Sequence, residues 1–115
     1  MSNIYDSAHA LEKAIQESEE FQDLKSAYDT VMNDATSKQM FDNFRNTQLE
    51  LQQKQMQGIE ITEEEIEKAK QVVELVQQHE TISKLMEQEQ RVNVLINDIS
   101  RIITKPLEEL YGAQQ

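Results

Sequence analysis

Apolar residues recur along the second half of the chain at Ile82, Leu85, Val92, Ile96, Ile99 and Ile103, in a stripe that only Glu89 breaks. Steps of three and four place these side chains on one face of a helix. Met86, Leu95 and Ile102 widen the stripe beyond a two-helix seam, so this helix needs more than one neighbour. The pattern speaks of architecture and association, not of a reaction.

The same periodicity predicts the other elements. A first helix is expected from about Ile4 to Glu17, burying Ile4, Ala8, Leu11 and Ile15. Ser18 then offers an N-cap, with Glu19 and Glu20 suited to the positive end of a helix dipole. Phe21, Leu24, Tyr28 and Val31 form the next apolar face, on one kinked helix or on a second helix. A polar turn at 33–37 precedes a helix from about Lys38 to Gln57, strongest at Met40, Phe41 and Phe44 and glutamine-rich beyond Gln48. Gly58 stands where a C-terminal cap is expected. Thr62 with Glu65 reads as a capping box. It opens a helix facing its core with Ile66, Ala69, Val73 and Val76, with Val72 beside them. The short linker 58–61 folds these two helices into an antiparallel hairpin. At 78–81 the pattern is interrupted: Thr81 caps a new helix, or one helix runs through. Pro106 is expected to end or kink the last helix near Thr104, and Leu107, Leu110 and Tyr111 to make one final apolar turn.

Composition agrees. Two glycines and one proline leave few breaks in 115 residues, and Glu, Gln, Lys, Leu, Met and Ala favour helices. The expected fold is all-α: a single helical domain over 1–115, built on a long antiparallel hairpin with additional N-terminal helices and assembling as a helical dimer. The wide C-terminal face is broader than the Ile66–Val76 helix covers. Leu85, Val92, Leu95, Ile96, Ile99 and Ile103 are therefore the candidate oligomer interface.

Charge narrows the partners. There are 22 acidic and 11 basic residues, for a formal net charge of -11, and the basic residues are scattered. A nucleic acid would meet net repulsion and no basic stripe, so direct nucleic-acid binding is not expected. No apolar run approaches the ~20 residues of a membrane span, and the first residues lack the basic-then-apolar pattern of a signal peptide. The absence of cysteine is compatible with a reducing cytoplasm but does not by itself establish one.

Candidate chemistry is thin. Absence of cysteine excludes disulfides, thiolate metal sites, cysteine nucleophiles and cysteine-ligated iron–sulfur clusters. A di-metal bundle wants Glu-x-x-His on two helices; the nearest match is Asp6-x-x-His9, with no second copy. His79-Glu80 is followed by Ser83 where a zinc-protease helix carries its second histidine. Both His9 and His79 read as solvated or capping residues. Ser83 lies one turn from His79, with no acid or glycine elbow to make it a nucleophile. Glu63, Glu64, Glu65 and Glu67 complement a helix N-terminus; a docking surface for a basic partner is the sharper alternative. Arg45 pairs with an acid across a helix contact or is solvated. Met32, Met40 and Met86 read as core filling, and Met56 as an interface residue. No catalytic, cofactor or metal residue is assigned.

Three stretches resemble a known family. They are Phe41, Asn43, Phe44 and Arg45 with Gln48, Leu49, Leu51 to Met56 and Gly58; Val76 to Glu80 with Ile82, Ser83, Leu85, Met86, Glu87, Glu89, Gln90 and Arg91; and Lys105 to Gly112. Together they are similar to the YheA-type proteins of the YlbF/YmcA family of small helical bacterial proteins. The resemblance implies an all-helical, dimeric, cytoplasmic protein. It also implies relatives that act as non-catalytic partners of an RNA-processing endonuclease. Some of those relatives carry cysteine-ligated iron–sulfur clusters, for which this chain has no ligands. The leading expectation is a non-enzymatic protein–protein interaction module that forms a homo-oligomer, with an unidentified protein partner alongside. A regulatory accessory role beside an endonuclease and a carboxylate-metal enzyme are the alternatives.

Overall fold

A computed structural model describes residues 3–112 of the chain. The described residues form five helices and no strand: α1 (Ile4–Glu17), α2 (Glu19–Met32), α3 (Ala35–Met56), α4 (Glu63–Gln78) and α5 (Glu80–Gly112). The all-α class read from propensity and turn shortage is the one observed.

Each boundary has a local cause. The Asn3 side chain accepts from the Tyr5 N–H and starts α1. Ser18 separates α1 from α2, which settles the kinked-or-separate question in favour of two helices. Its extended backbone breaks the ladder, its hydroxyl donates to the Ile15 carbonyl at 2.6 Å, and its Oγ accepts from the Phe21 N–H at 3.2 Å. Asp34 caps α3 by accepting from the Ser37 N–H. This cap starts the helix at Ala35 rather than near Lys38. Gly58, at φ 72°, closes α3 in the left-handed conformation that favours glycine. The Ile59 N–H donates to the Lys54 carbonyl and the Gly58 N–H to that of Gln55, which completes a Schellman motif. Thr62 and Glu65 form the reciprocal capping box of α4. Across the α3–α4 turn, Lys54 pairs with Glu65, and the two helices pack as the expected hairpin.

Two boundaries depart from the simplest reading. The α4–α5 break falls at His79, in extended backbone at φ -89° and ψ 110°, and Thr81 lies inside α5. Pro106 does not end α5, which continues to Gly112. Proline removes one N–H, leaving the Ile102 carbonyl without its helical donor. Ile102 is exposed, so water can satisfy that oxygen.

The chain divides into two compact units, Met1–Leu24 with Glu87–Gln115, and Lys25–Met86. The second unit holds every fully buried apolar side chain among the described residues: Ala27, Val31, Phe41, Phe44, Val72, Val76, Ile82 and Leu85. The buried face of α4 is thus Val72 and Val76. Ala69 and Val73 are half-buried and Ile66 is exposed, a rotation of the expected face toward the side where Val72 lies. In the first unit α1 buries nothing completely: Leu11 and Ile15 are half-buried, while Ile4 and Ala8 are exposed, contrary to expectation. Arg91 of α5 donates to Asp23 of α2 at 3.0 Å and to Gln88 at 2.7 Å within this unit.

Candidate functional site

The most connected polar cluster lies where the start of α3 meets the break between α4 and α5. Ser37 is completely buried, and its hydroxyl donates to Oδ2 of Asp34 at 2.5 Å. Nε2 of His79 is 3.4 Å from the same hydroxyl oxygen. On its other side, Nδ1 of His79 lies 3.5 Å from the Ile82 N–H, and the His79 carbonyl accepts from the Ser83 N–H at 2.8 Å. These partners assign the tautomer: Nδ1 accepts, so Nε2 carries the proton and donates to Ser37. His79 is the cap of α5, one of the two roles its sequence context allowed. The hydrogen bonds from Ser37, side chain first and then backbone, hold the Asp34 carboxyl below the ordinary range, with the nearby His79 adding to the effect.

The cluster contains Ser, His and Asp but cannot activate a nucleophile. In a catalytic triad the imidazole takes the serine proton and the carboxylate holds the second imidazole nitrogen. Here the carboxylate takes the serine proton, the second nitrogen faces a backbone N–H, and the hydroxyl is sealed from solvent. The arrangement caps two helices and ties them together. The sequence offered caps at 33–37 and left His79 either solvated or capping, but did not pair them, because residues 42 positions apart give no local signal.

Other charged side chains have local roles. Lys54, followed by the hydrogen bonds from Thr62, lowers the Glu65 carboxyl, so this member of the acidic run serves the hairpin. His9 contacts Glu12 at 3.3 Å on the exposed surface of α1. Arg45 does not need an acid: its guanidinium carbon lies 5.8 Å from the centroid of the Phe41 ring, one turn earlier. Among the described residues no group of three or more His, Cys, Asp or Glu side chains is placed to hold a metal ion. The cysteine-ligated cluster of some relatives does not fit this chain, which offers no thiolate. No helix among the described residues is long and apolar enough to cross a membrane.

What remains is apolar surface. Leu51, Ile61, Ile66, Ala69 and Val73 line an open groove of about 560 Å³ on the α3–α4 hairpin. The larger feature is the C-terminal part of α5. Of the candidate interface residues, Leu85 is wholly buried in the core of its own unit and cannot reach a partner. Val92, Leu95 and Ile99 are half-buried, whereas Ile96 and Ile103 are 40% and 63% exposed. Ile102, Leu107, Leu110 and Tyr111 extend the exposed surface to the helix end.

Residues 4–108 match the family model described as control of competence regulator ComK, YlbF/YmcA. The chain is 69% identical over 115 residues to a UPF0342 protein of Oceanobacillus iheyensis, covering 100% of this chain and 98% of that one. It is 67% identical over 112 residues to a UPF0342 protein of Alkalihalophilus pseudofirmus, covering 97% and 95%. A solved DUF964 protein of unknown function from Bacillus stearothermophilus superposes with a TM-score of 0.87 at 44% identity, over 94% of this chain and 95% of that one. The yheA structure from Bacillus subtilis gives 0.76 at 47% identity, over 96% and 100%.

Proposed function

This chain belongs to the YlbF/YmcA family, and from that premise we propose that it is a non-enzymatic interaction module that pairs with a second copy of itself through the C-terminal part of α5. The observation that carries this reading is the row Ile96, Ile103, Leu107 and Leu110, each 40–63% exposed and on one side of the helix. Each such side chain forgoes part of the ~1.5–3 kcal/mol that full burial contributes. A two-fold dimer pairs the same surface twice and covers it without a further chain. Val92, Leu95 and Ile99 back this surface; Leu85 belongs to the core.

Sedimentation equilibrium tests it. At ~100 μM the protein is expected to sediment above its 13.4 kDa chain mass, because interfaces of ordinary size bind more tightly than that. Ile96→Asp and Ile103→Asp should return it to the monomer with unchanged helical circular dichroism. A single monomeric species of the unmodified protein overturns the reading.

The family description supports a regulatory rather than a chemical role. An accessory protein of a regulatory or RNA-processing complex in the cytoplasm needs a docking surface and no reaction centre, and the Ser37–His79 cluster supplies none. Affinity purification from the native cell, with Ile96→Asp as the control, would identify such a complex. Recovery of no protein specific to the unmodified chain argues against it.

A further inference from the structure

The α3–α4 hairpin is fully packed at one end only. Phe44 is the last fully buried residue of α3 and Val72 the first of α4, and between them no side chain is completely buried. This distal half still carries an apolar floor, formed by Leu51, Ile61, Ile66, Ala69 and Val73 in the open groove. Every residue that lines the groove comes from α3, the linker or α4. Ile66 is 43% exposed, on a helix that draws most of its stability from packing its apolar face. The charges beside this floor are one-sided. At 3.6 residues per turn, Lys70, Glu63, Glu74 and Glu67 occupy the strip of α4 next to Ile66, on the side away from Val72 and Val76. All four are exposed, and none belongs to an ion pair among the described residues. Glu63 suits the helix dipole, but that effect fades beyond the first turn and does not account for Glu67 and Glu74. The opposite edge on α3, with Gln48, Gln52 and Gln55, is polar and uncharged.

We propose that this groove is the docking site for an amphipathic helix of another protein, one with an apolar ridge and a basic flank. Helix-in-groove recognition uses apolar anchors at i, i+3, i+4 and i+7, and these lie over Leu51, Ile66, Ala69 and Val73. Lysine or arginine beside the ridge meets Glu63, Glu67 and Glu74, against which Lys70 is the single opposing charge. The net charge of -11 adds long-range attraction for a basic partner. From Ile66 to Val73 α4 rises about 10 Å, room for roughly two turns of such a helix. Other occupants fit less well. A second copy in two-fold pairing sets the same acidic edge against itself. Anionic lipid and nucleic acid meet the same repulsion. The groove uses α3 and α4 and none of the end of α5, so this inference stands or falls apart from the self-association proposed above.

The test uses the full chain and a synthetic helical peptide of about 18 residues, with leucines at helical spacing, lysines flanking them and alanine elsewhere. One control peptide scrambles the leucine spacing; a second carries glutamate in place of lysine. Fluorescence anisotropy should show saturable binding of the first peptide with a Kd below ~100 μM, and of neither control. Ile66→Asp, and separately Glu67→Lys with Glu74→Lys, should each weaken binding by about tenfold or more. Glu17→Lys with Glu109→Lys makes the same change in net charge at exposed positions outside the hairpin and should weaken it by less than about threefold. Ile96→Asp should leave it unchanged. Gln55→Cys, in a chain without other cysteines, reports cover of the groove while leaving its apolar floor intact. Its alkylation should slow by about tenfold as the peptide saturates. No saturable binding, equal binding of the scrambled peptide, equal loss in the charge-matched variant or an unprotected thiol at position 55 overturns the proposal. A lower sedimentation mass for Ile66→Asp gives the groove to a second copy and overturns it too.

Discussion

The hydroxyl of Ser37, 3.4 Å from Nε2 of His79, joins the first turn of α3 to the break between α4 and α5. Nothing else in the sequence around 77–82 demands a break: it contains no glycine or proline. A histidine that caps α5 through one nitrogen and holds a buried hydroxyl through the other gives the chain a reason to bend there.

Ser37→Ala and His79→Ala are each expected to lower the free energy of unfolding by about 1 kcal/mol, the ordinary contribution of a hydrogen bond. Because both remove the same link, the double variant should cost less than their sum by at least ~0.5 kcal/mol. Urea denaturation of the four proteins measures this. Strict additivity would show that the contact is not the tie.

Leu85 and Ile103 lie on one helix but belong to different surfaces. Leu85→Ala removes a wholly buried side chain and should cost ~2–5 kcal/mol at any protein concentration. Ile103→Ala should change the stability of the monomer by less than about 0.5 kcal/mol, yet weaken association. Thermal denaturation at low and high concentration separates the two. An equal effect of both on the monomer would contradict the division of α5.

Acid should loosen both caps. Asp34 and Glu65 titrate below their ordinary values in the folded protein, held by Ser37 and by Lys54 respectively. A depressed folded value stabilises above the unfolded carboxylate value, about pH 4, and that stabilisation is lost as the pH falls through the folded value. Denaturant titrations between pH 7 and pH 2 should show stability declining over this acid window. Asp34→Asn and Glu65→Gln should flatten the decline. An unchanged slope in both variants would remove these groups as its cause.

Gly58 sits at φ 72° with open space around the position of an added Cβ. The cost of Gly58→Ala is therefore conformational, about 1–2 kcal/mol, and Gly58→Asn should recover part of it. Gly112, in the last turn of α5, should accept alanine without loss. Equal stability of Gly58→Ala and the unmodified protein would show that α3 can end another way.

The sequence by itself determined the helices and most of their ends. Ser18, Gly58 and the Thr62–Glu65 box act on neighbours within a few residues, so their effect is written where they stand. Tertiary structure alone decided the rest. It turned α4 so that Val72 rather than Ile66 faces the core. It paired Ser37 with His79 across 42 positions. It divided one apolar stripe into Leu85, sealed inside, and Ile96 and Ile103, open to solvent. Periodicity can say which face of a helix is apolar. It cannot say what covers that face, because burial depends on partners distant in the chain.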